Sequence, residues 1–159
     1  MIAPELLRLL RGHVAIDWHG AHGVSHWARV RAIGLRLAAR TGARPRVVEL
    51  FAFVHDACRQ DEGLDHGHGR RSAAWIQRPE VRAVLGLDDA DLALLVRACA
   101  GHSDGGTQED VTVCTCWDAD RLDLGRVGIR PKAQYLCTEA ARDPAMMRWA
   151  WRRSVGLRD

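Results

Sequence analysis

Apolar residues recur along this chain at helical spacing, in short runs set off by proline and glycine. Pro4 opens a first amphipathic segment over about residues 4–11, with Leu6, Leu7 and Leu10 on one side. His26, Val30, Ile33 and Leu37 share a face of a longer helix expected over about residues 22–40, which Gly42 closes. Pro45 starts a third helix, on which Val47, Leu50, Phe51, Val54, His55 and Cys58 form a continuous stripe. Further helices are expected over about 68–77, over Pro79–Leu85, from Asp88 or Asp89 to His102, and over about 138–152. Residues 111–117 (VTVCTCW) alternate as a strand would, but a lone strand has no partner in this chain. Trp117–Leu124 is therefore expected to be helical, and the fold class to be all-α.

The length of 159 residues suits one domain over 1–159 with a real core. No apolar run approaches the roughly 18 residues of a membrane-spanning helix, so no membrane partner is expected. The N-terminal MIAPELLRLLRGH does not read as a secretory signal. Net charge is only +3, and the basic residues are spread arginines with Lys132 the single lysine. That distribution shows no dedicated DNA-binding stripe, yet arginine forks suit a phosphate-bearing ligand. Five cysteines, Cys58, Cys99, Cys114, Cys116 and Cys137, contain no C-x-x-C pair, which suits a reduced, cytoplasmic chain. Cys114-x-Cys116 is at most half a zinc site, lacking a second pair nearby.

The chemistry centres on His55 and Asp56. His55 continues an apolar stripe, so Asp56 must also lie near buried surface. An ionised carboxylate there is costly unless paired or bound to a cation. The alternative is a hydrogen-bonded core histidine beside an exposed helix-end aspartate. His22 and His26 stand at i, i+4 and share a helical face, a spacing that metal ligation uses. W117-D-A-D-R-L-D123 carries three carboxylates beside a Trp and a Leu, and hard oxygen ligands complement imidazoles. Its alternative is an acidic helix start stabilised by the dipole. His68 and His102 are singly caps or surface residues; together they suggest a histidine-rich pocket.

The order His26 … His55-Asp56 … Asp120 resembles the H…HD…D signature of the HD-domain metal-dependent phosphohydrolase superfamily. His26-Trp27-Ala28-Arg29-Val30 matches its HxxRV element, the HD pair ends an apolar helix, and residues 118–123 read DADRLD, followed by Gly125 and Gly128. The resemblance spans about residues 22–137. It implies an HD-domain-like helical bundle with a central metal cleft, in which His26, His55, Asp56 and Asp120 are the ligands of a divalent ion. Manganese, iron, zinc, magnesium, nickel and cobalt all stay open. Asp118 is the alternative to Asp120. Some such families hold a second ion, and His68 and His102 fall in the right intervals for it; the chain lacks the GYP motif of one subgroup.

The expected activity is hydrolysis of a phosphomonoester or nucleotide by metal-activated water. His68 and His102 are the favoured general acid or base, with Asp61 and Glu62 behind them. Arg59 leads the candidate phosphate partners, with Arg70 and Arg71 next and Arg29, Arg121 and Lys132 weaker. His22 is a substrate or supporting residue. A non-catalytic nucleotide- or partner-binding module and a di-iron oxygenase are the competing expectations. A homodimer stays open, because Trp149 and Trp151 would suit either the core or a second copy.

Overall fold

The computed structural model describes residues 2–157; Met1 and residues 158–159, the ends of the expected domain, lie outside them. Among the described residues the chain is all helical, with no strand. The α-helices are α1 (Pro4–His13), α2 (Val24–Thr41), α3 (Pro45–Val54), α4 (His68–Trp75), α5 (Pro79–Leu85), α6 (Asp89–Gly101), α7 (Val111–Arg121), α8 (Glu139–Arg142) and α9 (Pro144–Ser154). Two short 3-10 turns, Leu124–Val127 and Ala133–Tyr135, join α7 to α8.

Local chemistry explains most boundaries. Proline occupies the first turn of α1, α3, α5 and α9, where its missing N–H costs nothing. Gly42 ends α2 at a φ of 75°, a left-handed conformation that favours glycine. Asp88 caps α6 by accepting from Asp91 N. Residues 111–117 are helical throughout, so α7 begins six residues before the expected Trp117. Asp110 caps it, and burial of both sides of the segment explains its lack of helical periodicity. The single helix expected over 138–152 is two, α8 and α9. Pro144 disfavours helical backbone at Asp143, whose side chain caps α9 instead.

One apolar cluster runs from Leu6 to Ala150. Trp27, Phe51, Ile33, Leu37, Leu50 and Leu95 are fully buried in it, each such side chain contributing about 1.5–3 kcal/mol. Helix α2 packs chiefly against α3 and α7, and α4 against α6. Two glycines allow close approaches between these helices. A methyl group at Gly34 of α2 would meet Val48 Cγ1 of α3 at 2.6 Å and Ala119 Cβ of α7 at 3.3 Å. A methyl group at Gly69 of α4 would meet Cys99 O of α6 at 2.5 Å and the His102 ring at 3.0 Å. These contacts bring the starts of α2 and α4 and the ends of α3, α6 and α7 around one buried polar cluster. Trp149 packs partly against the core, with Arg36 and Arg153 over its ring, and Trp151 carries Arg130.

Candidate metal centre

Four histidines and two aspartates from five helical segments meet inside the bundle. His26 comes from α2, His55 and Asp56 follow the last turn of α3, His68 opens α4, His102 follows α6, and Asp120 lies near the end of α7. All are buried except Asp120, whose side chain is 15% exposed.

Each imidazole has its Nδ1 on an acceptor outside the cluster. His26 Nδ1 donates to Asp123 Oδ2 at 2.7 Å, His55 Nδ1 to Phe51 O at 3.1 Å, and His102 Nδ1 to Cys99 O at 2.8 Å; His68 Nδ1 donates to Asp65 O. These bonds set one tautomer in all four rings and aim every Nε2 lone pair inward. His26 Nε2 then faces His55 Nε2 at 3.1 Å, and His68 Nε2 faces His102 Nε2 at 2.8 Å. Two lone pairs at that distance repel unless a cation or proton lies between them.

The carboxylates complete three overlapping groups: His26, His55 and Asp56; Asp56, His68 and His102; and His55, His102 and Asp120. Asp56 Oδ2 lies 3.7 Å from His26 Nε2 and 3.5 Å from His55 Nε2. Asp120 Oδ1 lies 3.4 and 3.9 Å from the same two nitrogens. On the other side, Asp56 Oδ1 lies 3.2 Å from His68 Nε2 and 3.6 Å from His102 Nε2. Donor atoms about 2.0–2.2 Å from one ion stand about 3.0–3.4 Å apart, and these spacings lie at or within about half an ångström of that range. Buried Asp120 Oδ1 has no hydrogen-bond partner, an orphaned acceptor that a cation would satisfy. These buried His/Asp groups can hold a metal ion. None of the candidate groups among the described residues contains a cysteine, so Cys114-x-Cys116 is no part of one.

Electrostatics separates the groups. Burial drives His55 down to about 3, although Asp56 and Asp120 pull the other way. His102 is raised, because the Asp56 and Asp120 carboxylates outweigh its burial. Asp56 sits well below the usual carboxylate range: burial opposes this, but His55, His102 and His68 prevail. Burial alone would likewise raise Asp120, yet Arg126, His55 and His26 hold it at about 2.

The remaining candidates divide. Arg59 stands at the cluster, its Nε donating to Asp56 Oδ1 at 3.2 Å. His22 precedes α2 rather than lying on it, and its Nδ1 bonds Glu62 Oε2 at 2.7 Å; its ring centroid is 6.2 Å from that of His26. Burial lowers His22, with Glu62 acting against it. Asp118 is not a ligand. Its carboxylate points to the opposite side of α7 and accepts from Cys137 N, Thr138 N and Thr138 Oγ1 at 2.7, 2.9 and 2.7 Å. Arg70 is exposed and faces Asp104, and Arg71 is held by Cys58 O and Asp65. Arg121 donates to Tyr135 O and Gly106 O, and Lys132 lies on the exposed segment beside Tyr135. None of these four reaches the cluster, because Arg70, Arg71 and Arg121 face other neighbours and Lys132 lies outside the helices.

Two residues had no assigned role in the sequence. Asp123 is fully buried and accepts from His26 and, at 2.7 and 3.1 Å, from Arg29 Nε and Nη2. Arg126, on the 3-10 turn, places Nη2 3.7 Å from Asp120 Oδ1 and Nη1 3.9 Å from Asp123 Oδ2. The DADRLD string contained the signal for Asp123; nothing marked Arg126.

Comparison with family models, curated proteins and solved structures finds no match to this chain.

Proposed function

We propose that this chain is a divalent-metal-dependent phosphohydrolase of the HD-domain kind. The observation that carries the reading is the arrangement around Asp56. Its two oxygens face two separate pairs of histidine Nε2 atoms, and Asp120 joins the first pair. The H…HD…D order of the sequence supports it further. In this reading His26, His55, Asp56 and Asp120 hold one ion, and His68 and His102 share Asp56 to hold a second.

A divalent ion in such a site acidifies water and offsets charge on a phosphoryl oxygen. The chain's own residues do the rest. Asp123 and the carbonyls of Phe51, Cys99 and Asp65 keep the imidazoles in the ligating tautomer. Arg59 and Arg126, with side chains 12% and 8% exposed, supply positive charge beside the carboxylates and toward a phosphate. The donor set of imidazole and carboxylate suits manganese, iron, zinc, nickel or cobalt better than magnesium, which favours all-oxygen ligation.

A second reading rests on Arg59. Its Nε already occupies a lone pair of Asp56 Oδ1, the oxygen that faces His68 and His102. One ion would then bind at the first group, and the His68–His102 pair would move protons.

The test is elemental analysis of the purified protein, followed by a hydrolysis screen of phosphomonoesters and nucleotides with added Mn²⁺. Bound metal with turnover, lost in His55→Ala and Asp56→Ala variants that still fold, is the expected result. Two ions per chain favour the first reading and one ion the second. Full activity in both variants overturns the proposal, and bound metal without turnover on any phosphate ester indicates a binding module.

A further inference from the structure

A cavity of about 360 Å³ lies behind the turn that follows α3, between the end of α1, residues 57–60, α4 and the start of α5. His13 stacks on Trp75 there, with ring centroids 4.6 Å apart and planes 8° from parallel. Trp75 is buried beneath His13, so the imidazole and three alanine side chains make the apolar wall. Three guanidinium groups line the same cavity, those of Arg59, Arg71 and Arg78, and no acidic residue does.

Two of these arginines are held in place. Arg59 Nε donates to Asp56 Oδ1 at 3.2 Å, and its Nη1 donates to Asp61 O and Gly63 O at 3.2 and 3.0 Å. Arg71 donates from Nε and Nη2 to Cys58 O at 3.2 and 3.1 Å and is paired with the Asp65 carboxylate. Arg78 is different. It is exposed, it precedes α5, and among the described residues its side chain has no carboxylate or hydrogen-bond partner. Burial, and then the charge of Arg78, hold His13 below its ordinary value. The uncompensated charge of Arg78 beside an apolar wall, in a volume within the usual range of about 300–1,000 Å³ for small-molecule sites, is matched by a flat anion.

We propose that this cavity, which meets the His/Asp cluster only through Arg59, is a second binding site for a small phosphate-bearing molecule with an aromatic ring, of the nucleotide kind. Guanidinium forks match phosphate oxygens, and a heterocycle stacks on the aromatic wall. The site is independent of the metal and of any hydrolysis.

The experiment is calorimetric titration of AMP into the full-length protein after EDTA treatment. One AMP per chain is expected to bind, and Arg78→Glu, at an exposed position, is expected to weaken binding roughly tenfold or more. His55→Ala, which removes a metal-cluster residue, is expected to bind AMP as the wild type does. Thermal melts of both variants confirm folding. No binding to the EDTA-treated wild type, equal binding by Arg78→Glu, or loss of binding in folded His55→Ala each overturns the proposal. Because the titration contains no metal, its outcome is independent of whether the chain hydrolyses phosphate esters.

Discussion

His26 Nδ1 donates to Asp123 Oδ2 across 2.7 Å, and both side chains are fully buried. Asp123 also takes two hydrogen bonds from Arg29, so one carboxylate orients an imidazole and is itself anchored. Asp123 is three residues past Asp120, and the two carboxylates meet opposite ends of the same ring.

That relationship predicts the effect of Asp123→Asn. The amide leaves one acceptor to be shared between His26 and Arg29 and removes the charge that strengthens His26 as a donor of electrons. Metal affinity is expected to fall roughly 10- to 100-fold, as for other carboxylates behind ligating histidines. Titration with Mn²⁺ or Zn²⁺ checks it; unchanged affinity would show that Asp123 serves only Arg29.

Asp118→Ala tests the opposite side of α7. Its carboxylate satisfies two backbone N–H groups and one hydroxyl at the start of α8. Stability is expected to fall by about 1–3 kcal/mol, the cost of leaving such donors unpaired. Metal content, measured on the folded variant, is expected to remain that of the wild type.

Gly69→Ala introduces a methyl group 2.5 Å from the Cys99 carbonyl and 3.0 Å from the His102 ring. Neither backbone can yield without separating α4 from α6. A destabilisation of about 1–3 kcal/mol is expected from this overpacking. If two ions bind, the one held by His68 and His102 is expected to be lost first, which elemental analysis of the variant reads directly.

Asp120 predicts an acid limb in the stability of the metal-free protein. Its carboxyl is held at about 2 against an ordinary 3.8. A depressed carboxyl stabilises the fold above its ordinary pKa and loses that contribution as pH falls toward the folded value. The loss from this group, between pH 3.8 and about 2, is on the order of 2 kcal/mol. Denaturant unfolding of EDTA-treated protein at pH 5 and pH 2.5 measures it, and Asp120→Asn is expected to flatten the slope.

Helix punctuation was legible in the residues themselves. Proline at Pro4, Pro45 and Pro79 and glycine at Gly42 act through backbone geometry that depends on few neighbours. The break at Pro144 was legible in principle by the same rule, but the apolar residues on both sides suggested one helix. Helix α7 was hard to read because nearly every residue from Thr112 to Ala119 is buried, which erases the amphipathic period.

For the candidate site, the apolar stripe marked His55 and Asp56 as groups that need compensation, and only the H…HD…D resemblance implied that His26 and Asp120 join them. The choice between Asp118 and Asp120 was a different matter. Two residues on a helix face nearly opposite directions, and only the packing of α7 against α2 and α3 decides which direction is the cluster. The same holds for Arg70, Arg121 and Lys132, whose charge was visible but whose neighbours were not. Arg126 and the His13–Trp75 cavity arise where distant segments meet. The sequence by itself therefore determined which groups need partners, because that follows from the chemistry of each side chain and its local period. Which groups become partners was decided only by tertiary structure, because helix faces and close approaches such as those at Gly34 and Gly69 are set by every packed neighbour at once.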